Sequence, residues 1–290
     1  MNPRSPLAAR HRRDGLALAL AAACLAAPRA DAAPSTVDLA PHWKVGEHVD
    51  YVLAKHGVIT AGSQVQVDTT NTTPVHIDVL KADADGFVIG WTQGETQFDA
   101  TAAASMNPVM KKMAGLMVGH PLKLRLDRNG QLQEVVNWEA IRDLGDVFAH
   151  DVTDMLAQSG VDATHRMQAT AQIHAMFASE QGVRGAATRE VRLLLLPLGH
   201  AYDRSRPVQV DVVAPDPTGA GDVKAPRRVE LKGDPGAKAT LHWSQPNAGA
   251  SVTGDAVIDV ATGWAEATSQ TVTAAASGAQ RTETTTLQRK

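Results

Sequence analysis

The 290-residue chain carries 28 basic and 31 acidic side chains, a net charge of −3, with 43% hydrophobic and 4% aromatic residues and a single cysteine. That balance excludes a nucleic-acid partner, which needs clustered Lys and Arg to displace counterions, and it excludes simple electrostatic docking on an anionic membrane. One cysteine excludes an internal disulfide and a Cys-ligated metal centre.

Arg4, Arg10, Arg12 and Arg13 precede an uncharged apolar run from Leu16 to Ala27, and Ala30-Asp31-Ala32 follows with small residues at the −3 and −1 positions of a signal peptidase site. This is the pattern of an export signal spanning 1–32. The run is too short for a membrane span, which needs about 20 apolar residues, and no later segment reaches that length. The expected product is a periplasmic protein of residues 33–290. Loss of the signal leaves 23 basic and 29 acidic residues, a charge of −6. Cys24 after Ala21-Ala22-Ala23 resembles a lipoprotein processing box lacking its usual Leu, so anchoring through a lipid on Cys24 is the alternative.

Strands are expected over 43–100, where apolar residues recur with a period near two: Val49-Tyr51-Leu53, Val65-Val67, Val75-Ile77-Val79 and Phe87-Ile89-Trp91. Gly- and Asn-rich turns separate several of these runs, and Asp83-Ala84-Asp85-Gly86 marks a hairpin. Over 105–196 the period becomes mainly helical. Asn107 caps and Pro108 opens a helix ending near Gly119, whose apolar face is Val109, Met110, Met113, Leu116 and Met117. A hairpin follows near 122–136, with Leu122, Leu124 and Leu126 alternating up to an Asn129-Gly130 turn. Further helices are expected after Asn137, from about Asp162 to Ser179, and from Ala186 to the stop at Pro197. Strands resume over 207–288, with turns at Pro215-Asp216-Pro217-Thr218-Gly219 and Gly233-Asp234-Pro235-Gly236. The Thr-rich tail from Arg281 to Lys290 is expected to pair with the segment from Trp264 to Thr273.

Strands, helices and strands in that order predict one α+β domain. Its large curved antiparallel sheet is built from N- and C-terminal strand blocks, with the central helical insertion packed on one face. In layout this resembles the periplasmic lipoprotein-carrier superfamily, which implies a half-open barrel binding acyl chains between sheet and helices. Three sets of phrases resemble an uncharacterised family of exported Gram-negative bacterial proteins. They are Val37-Asp38-Leu39-Ala40-Pro41 with Trp43-Lys44-Val45-Gly46, Gly90-Trp91 with Gly94-Glu95, and Pro215-Asp216-Pro217 with Gly219. The resemblance implies location and no activity.

Met106, Met110, Met113 and Met117 fall at helical spacing. A core-facing stripe is the plainest reading of them; an adaptable ligand surface and a soft Cu(I) site are the others. Asp146, His150 and Asp154 share one helix side opposite Leu144, Phe148 and Met155, so a solvated polar face is the plain reading and a divalent metal site the lesser alternative. Glu95 and Asp99 are a nominal carboxylate pair for glycoside hydrolysis, or a charged strand end. No serine elbow, zincin motif or phosphate loop is present, so no catalytic residue and no cofactor is assigned.

The reading favoured by the sequence is a non-catalytic envelope protein holding a lipid or acyl chain between sheet and helices. Met110, Met113, Leu116 and Met117 are its expected contacts, with Trp91 as the sheet-side wall. Two alternatives stand beside it: an assembly component that pairs an envelope partner along exposed strand edges, and a hydrolase with a non-local site. Intact-mass measurement of the exported chain should show a mature N-terminus at Ala33 without lipid.

Overall fold

The computed structural model describes residues 36–215, 222–233, 235–247, 250–276 and 278–290. The expected signal, its cleavage site and Cys24 lie outside the described residues, as do Asp216–Gly219 and Asp234 of two expected turns.

Two blocks of alternating sequence bracket the helices. The first contains β1 (Thr36–Leu39), β2 (His48–Ala61), β3 (Gln64–Asp83), β4 (Gly86–Gln93) and β5 (Gln97–Phe98). The middle runs through α1 (Ala100–Ser105), α2 (Pro108–Gly115), β6 (Leu122–Leu126), β7 (Leu132–Val135), α3 (Trp138–Gln158), α4 (Ala163–Phe177), α5 (Glu180–Ala187) and α6 (Arg189–Leu195). The last block holds β8 (His200–Asp203), β9 (Val208–Pro215), β10 (Asp222–Lys232), β11 (Lys238–Asn247), β12 (Ala250–Asp259), β13 (Ala265–Ala276) and β14 (Ala279–Arg289).

Twelve of these strands form one antiparallel sheet in the order β7-β6-β4-β3-β2-β14-β13-β12-β11-β10-β9, with β5 beside β3, while β1 and β8 pair separately. The two blocks meet where β14 lies between β13 and β2, from Ala279↔Ala61 to Arg289↔Tyr51. The Thr-rich tail is therefore interior to the sheet. Its neighbours Thr271 and Thr284 join hydroxyls at 3.0 Å.

Alternation puts Tyr51, Leu53, Ile77, Ile89, Trp91, Leu124, Leu241, Trp243 and Leu287 on one buried face. Ile141, Phe148 and Val152 of α3, Phe177 of α4, Val183 of α5 and Leu193 to Leu195 of α6 join the same core. This is the expected α+β architecture, a curved antiparallel sheet with helices on one face. A second clasp ties the segment before β2 to the turn before β13. Trp43 stacks on Trp264 with centroids 4.1 Å apart, and the Trp264 indole donates to Glu47 at 2.8 Å.

Several local expectations change. Val65-Val67 and Val75-Ile77-Val79 belong to one 20-residue strand, β3, with no turn at Asn71 to Pro74. Pro74 is tolerated there because β3 changes neighbour at that point, from β5 at Asn71 and Thr72 to β4 from Val75 onward. Asp99 stands at the end of β5, as the charged strand end expected of it, and has a further structural role. It caps α1, accepting from Ala102 N at 2.6 Å and from Thr70 N, and those bonds hold its carboxyl below the usual range. The helix expected from Ala186 is instead two helices. Ser179 caps α5, accepting from Gly182 N at 3.2 Å, and the chain breaks at buried Thr188 before α6.

The backbone also records where side chains cannot go. A Cβ at Gly254 would stand 2.3 Å from Ser269 O and 2.4 Å from the Trp243 ring, whereas one at Gly115 meets nothing within 4 Å. Urea unfolding should show Gly254→Ala less stable by about 1–3 kcal/mol from overpacking. Gly115→Ala should be more stable by about 0.4–1 kcal/mol through loss of unfolded-state entropy.

Candidate functional site

α2 takes its cap from Asn107, whose side chain accepts from Met110 N at 2.9 Å, and it ends at Gly115 rather than near Gly119. The expected apolar face divides. Met110 and Met113 are 51% and 49% exposed, which corrects their placement in a core-facing stripe, while Val109, Leu116 and Met117 pack partly against the core. The exposed side results from the way α2 docks on α3, with Lys112 bonded to Asp151 at 2.5 Å, and from the turn after it, where Gly119 N donates to Gln93 O at 2.9 Å. Trp91 is 2% exposed, and its indole N–H has no hydrogen-bond partner.

Asp146, His150 and Asp154 lie on the exposed side of α3. Asp146 bonds His174 of α4 at 3.0 Å, and His150 stands 3.7 Å from Asp154. Among the described residues no three His, Cys, Asp or Glu side chains come together as a metal site, and no helix is long and apolar enough to cross a membrane.

A concave space lies elsewhere, against α5 and α6. A cavity of about 360 Å³ is lined by Leu132 of β7, Val210 and Val212 of β9, and Gln270 of β13. The sheet's two margins, β7 and β9, thus converge on one space, and the helices fill the gap between them. Leu193, Leu195 and Leu196 of α6 supply an apolar roof, and His200 of β8 forms part of the wall. Burial lowers the His200 pKa, so its imidazole is neutral near pH 7. None of Met110, Met113, Leu116, Met117 or Trp91 lines this cavity.

α5 also closes the β7 margin. Glu180 accepts from Val135 N and Arg184 donates to Gln133 O, both at 3.0 Å, and Arg184 and Glu180 pair at 2.7 Å. Strand groups that would otherwise invite another chain are occupied. Residues 281 to 288, on which pairing along a free edge would depend, are paired on both sides.

Four arginines and one aspartate line the cavity: Arg184, Arg189, Arg192, Arg227 and Asp211. Arg227 is the unusual one. It is 6% exposed, its Nε donates to Gln245 Oε1 at 3.0 Å, and no ion pair involves it among the described residues. Desolvation pushes its pKa down to about 10, which still leaves it charged at neutral pH. A buried cation facing an amide rather than a carboxylate is a costly arrangement.

Sequence reasoning missed this cavity because its parts come from five strands and helices far apart in the chain. One signal was present. Arg227 shares the inward phase of Val229 and Leu231, so alternation alone places a charge on the buried face.

The fold and cavity define a curled antiparallel sheet plugged by helices over a mixed cationic and apolar space. No family model matches the chain, and no curated protein matches it. A solved structure reporting lipid–protein interactions in lipovitellin is similar at 5% identity and a TM-score of 0.47. That likeness covers 85% of this chain and 25% of the other, so this chain spans about a quarter of its length. At that level it identifies no function.

If Arg227 serves a ligand rather than stability, removing it should help the empty fold. Arg227→Met combined with Gln245→Leu is expected to raise unfolding free energy in urea by about 1–4 kcal/mol, the range found when buried polar charge is replaced by packed apolar groups.

Proposed function

We propose that the protein is an exported, periplasmic, non-catalytic carrier that holds a lipid or another molecule with an acyl chain between its sheet and its helices. The observation that carries this reading is the cavity of about 360 Å³ against α5 and α6. Its size is within the range of small-molecule sites, and it combines apolar walls with a few placed polar groups. The apolar part of the ligand lies against Leu132, Leu193, Leu196, Val210 and Val212.

The sequence-derived contacts have a lesser part in this reading. Exposed Met110 and Met113, with Leu116 and Met117 beside them, form a separate adaptable apolar surface, and Trp91 is buried in the core. The cavity is the better primary site, because walls on several sides remove more of a ligand's surface from water than a half-exposed helix does.

Two measurements test the reading. Native mass spectrometry of protein purified from its own envelope should show a co-purifying lipid mass. The neutral probe N-phenyl-1-naphthylamine should bind saturably with a fluorescence gain, and Leu196→Trp, which fills the cavity, should weaken it at least tenfold. Absence of saturable probe binding to the unaltered protein would overturn the proposal.

A further inference from the structure

Within the proposed carrier reading, on which this step rests, we infer that the ligand is an anionic amphiphile, whose carboxylate or phosphate is received by Arg227 with Arg189 at the cavity margin. The chain as a whole is acidic, yet the cavity lining opposes four arginines to one aspartate. The arginines are not equivalent. Arg184 is committed to Glu180 and to the β7 backbone, and Arg192 Nε donates to Thr188 Oγ1 at 3.0 Å. Arg189 is exposed and has no ion-pair partner among the described residues. Arg227 is more than nine-tenths buried, with only Gln245 on its Nε.

The guanidinium has five N–H donors in a planar fork, so an Nε held by Gln245 leaves the other side of the fork for a planar or tetrahedral anion. Gln245 also fixes the orientation of the group, because Arg227 and Gln245 sit on adjacent inward positions of β10 and β11, where Arg228 pairs Ser244. An incoming anion would neutralise the buried charge at low local dielectric, where such a pairing is stronger than in water. The apolar groups around it select against a bare small ion. Val210 lies beside Arg227 in the β9–β10 ladder, and Leu193 and Leu196 line the same space. Asp211 projects from the opposite face of β9 to Val210 and Val212 and is exposed, so it marks the margin.

The test uses the full mature chain, N-phenyl-1-naphthylamine as reporter, and three competitors: oleate, oleyl alcohol and inorganic phosphate. Oleate and the alcohol share a chain and differ in charge. Oleate is expected to displace the reporter at least tenfold more effectively than oleyl alcohol, and phosphate is expected not to displace it. In Arg227→Met the oleate preference should fall to within about twofold of unity, and in Arg189→Gln, an exposed position that cannot disturb the core, it should fall at least threefold. Circular dichroism melts confirm that both variants are folded. Equal competition by oleate and the alcohol, or an oleate preference unchanged in both variants, overturns the inference. Displacement by phosphate alone overturns the amphiphile in favour of a small anion. Failure of the reporter to bind the unaltered protein instead overturns the carrier reading, so the two failures are distinct.

Discussion

The pairing of β14 with β2 is the constraint on which everything else in the molecule depends. It runs from Ala279↔Ala61 to Arg289↔Tyr51 and joins two strand blocks that the helical middle separates by more than a hundred residues of sequence. Each block alone would present a raw strand margin at this line, with a row of unpaired amides and carbonyls. Joined, they form a surface wide enough to curl, and its buried face then covers α3 to α6. The Trp43–Trp264 stack and the indole bond to Glu47 reinforce the same junction from the inner side.

Curling moves the difficulty from the middle of the sheet to its margins, and α5 resolves part of it. Glu180 and Arg184, one turn apart, occupy a backbone donor and a backbone acceptor of β7 while pairing with each other. The helix that seals the margin is also a wall of the cavity. Closure and the binding space therefore share residues, and the arginine committed to the strand is lost to the ligand. Arg227 on the far side of the gap has no such duty, which is why the cavity's polarity centres on it.

Much of the framework was legible because it is periodic. Val49, Tyr51 and Leu53, or Leu122, Leu124 and Leu126, announce their strands by alternation, and the Asn129-Gly130 turn announces the hairpin between β6 and β7. Reading failed where a local signal was outvoted by neighbours. Asn71 to Pro74 looks like a turn but is held in β3 by pairing with β2. Gly182 and Gly185 dilute the helical pattern of α5, yet Ser179 caps it and Val183 is fully buried. Met110 and Met113 share a helical stripe with Met117, but the docking of α2 on α3 turns the first two outward. The cavity was least legible of all, since Arg189 and Arg227 belong to different parts of the chain and only the closed sheet sets them around one space.

An interior place for the final strand has a further consequence for how the protein is made. Residues 279 to 289 fill the middle of the sheet, between β13 and β2, although more than two hundred residues of sequence separate them from β2. Until that pairing forms, the polypeptide has two incomplete half-sheets, so folding is governed by slow, non-local strand assembly. Until β14 is in place, the open margins of the two half-sheets are exposed to pairing with other chains.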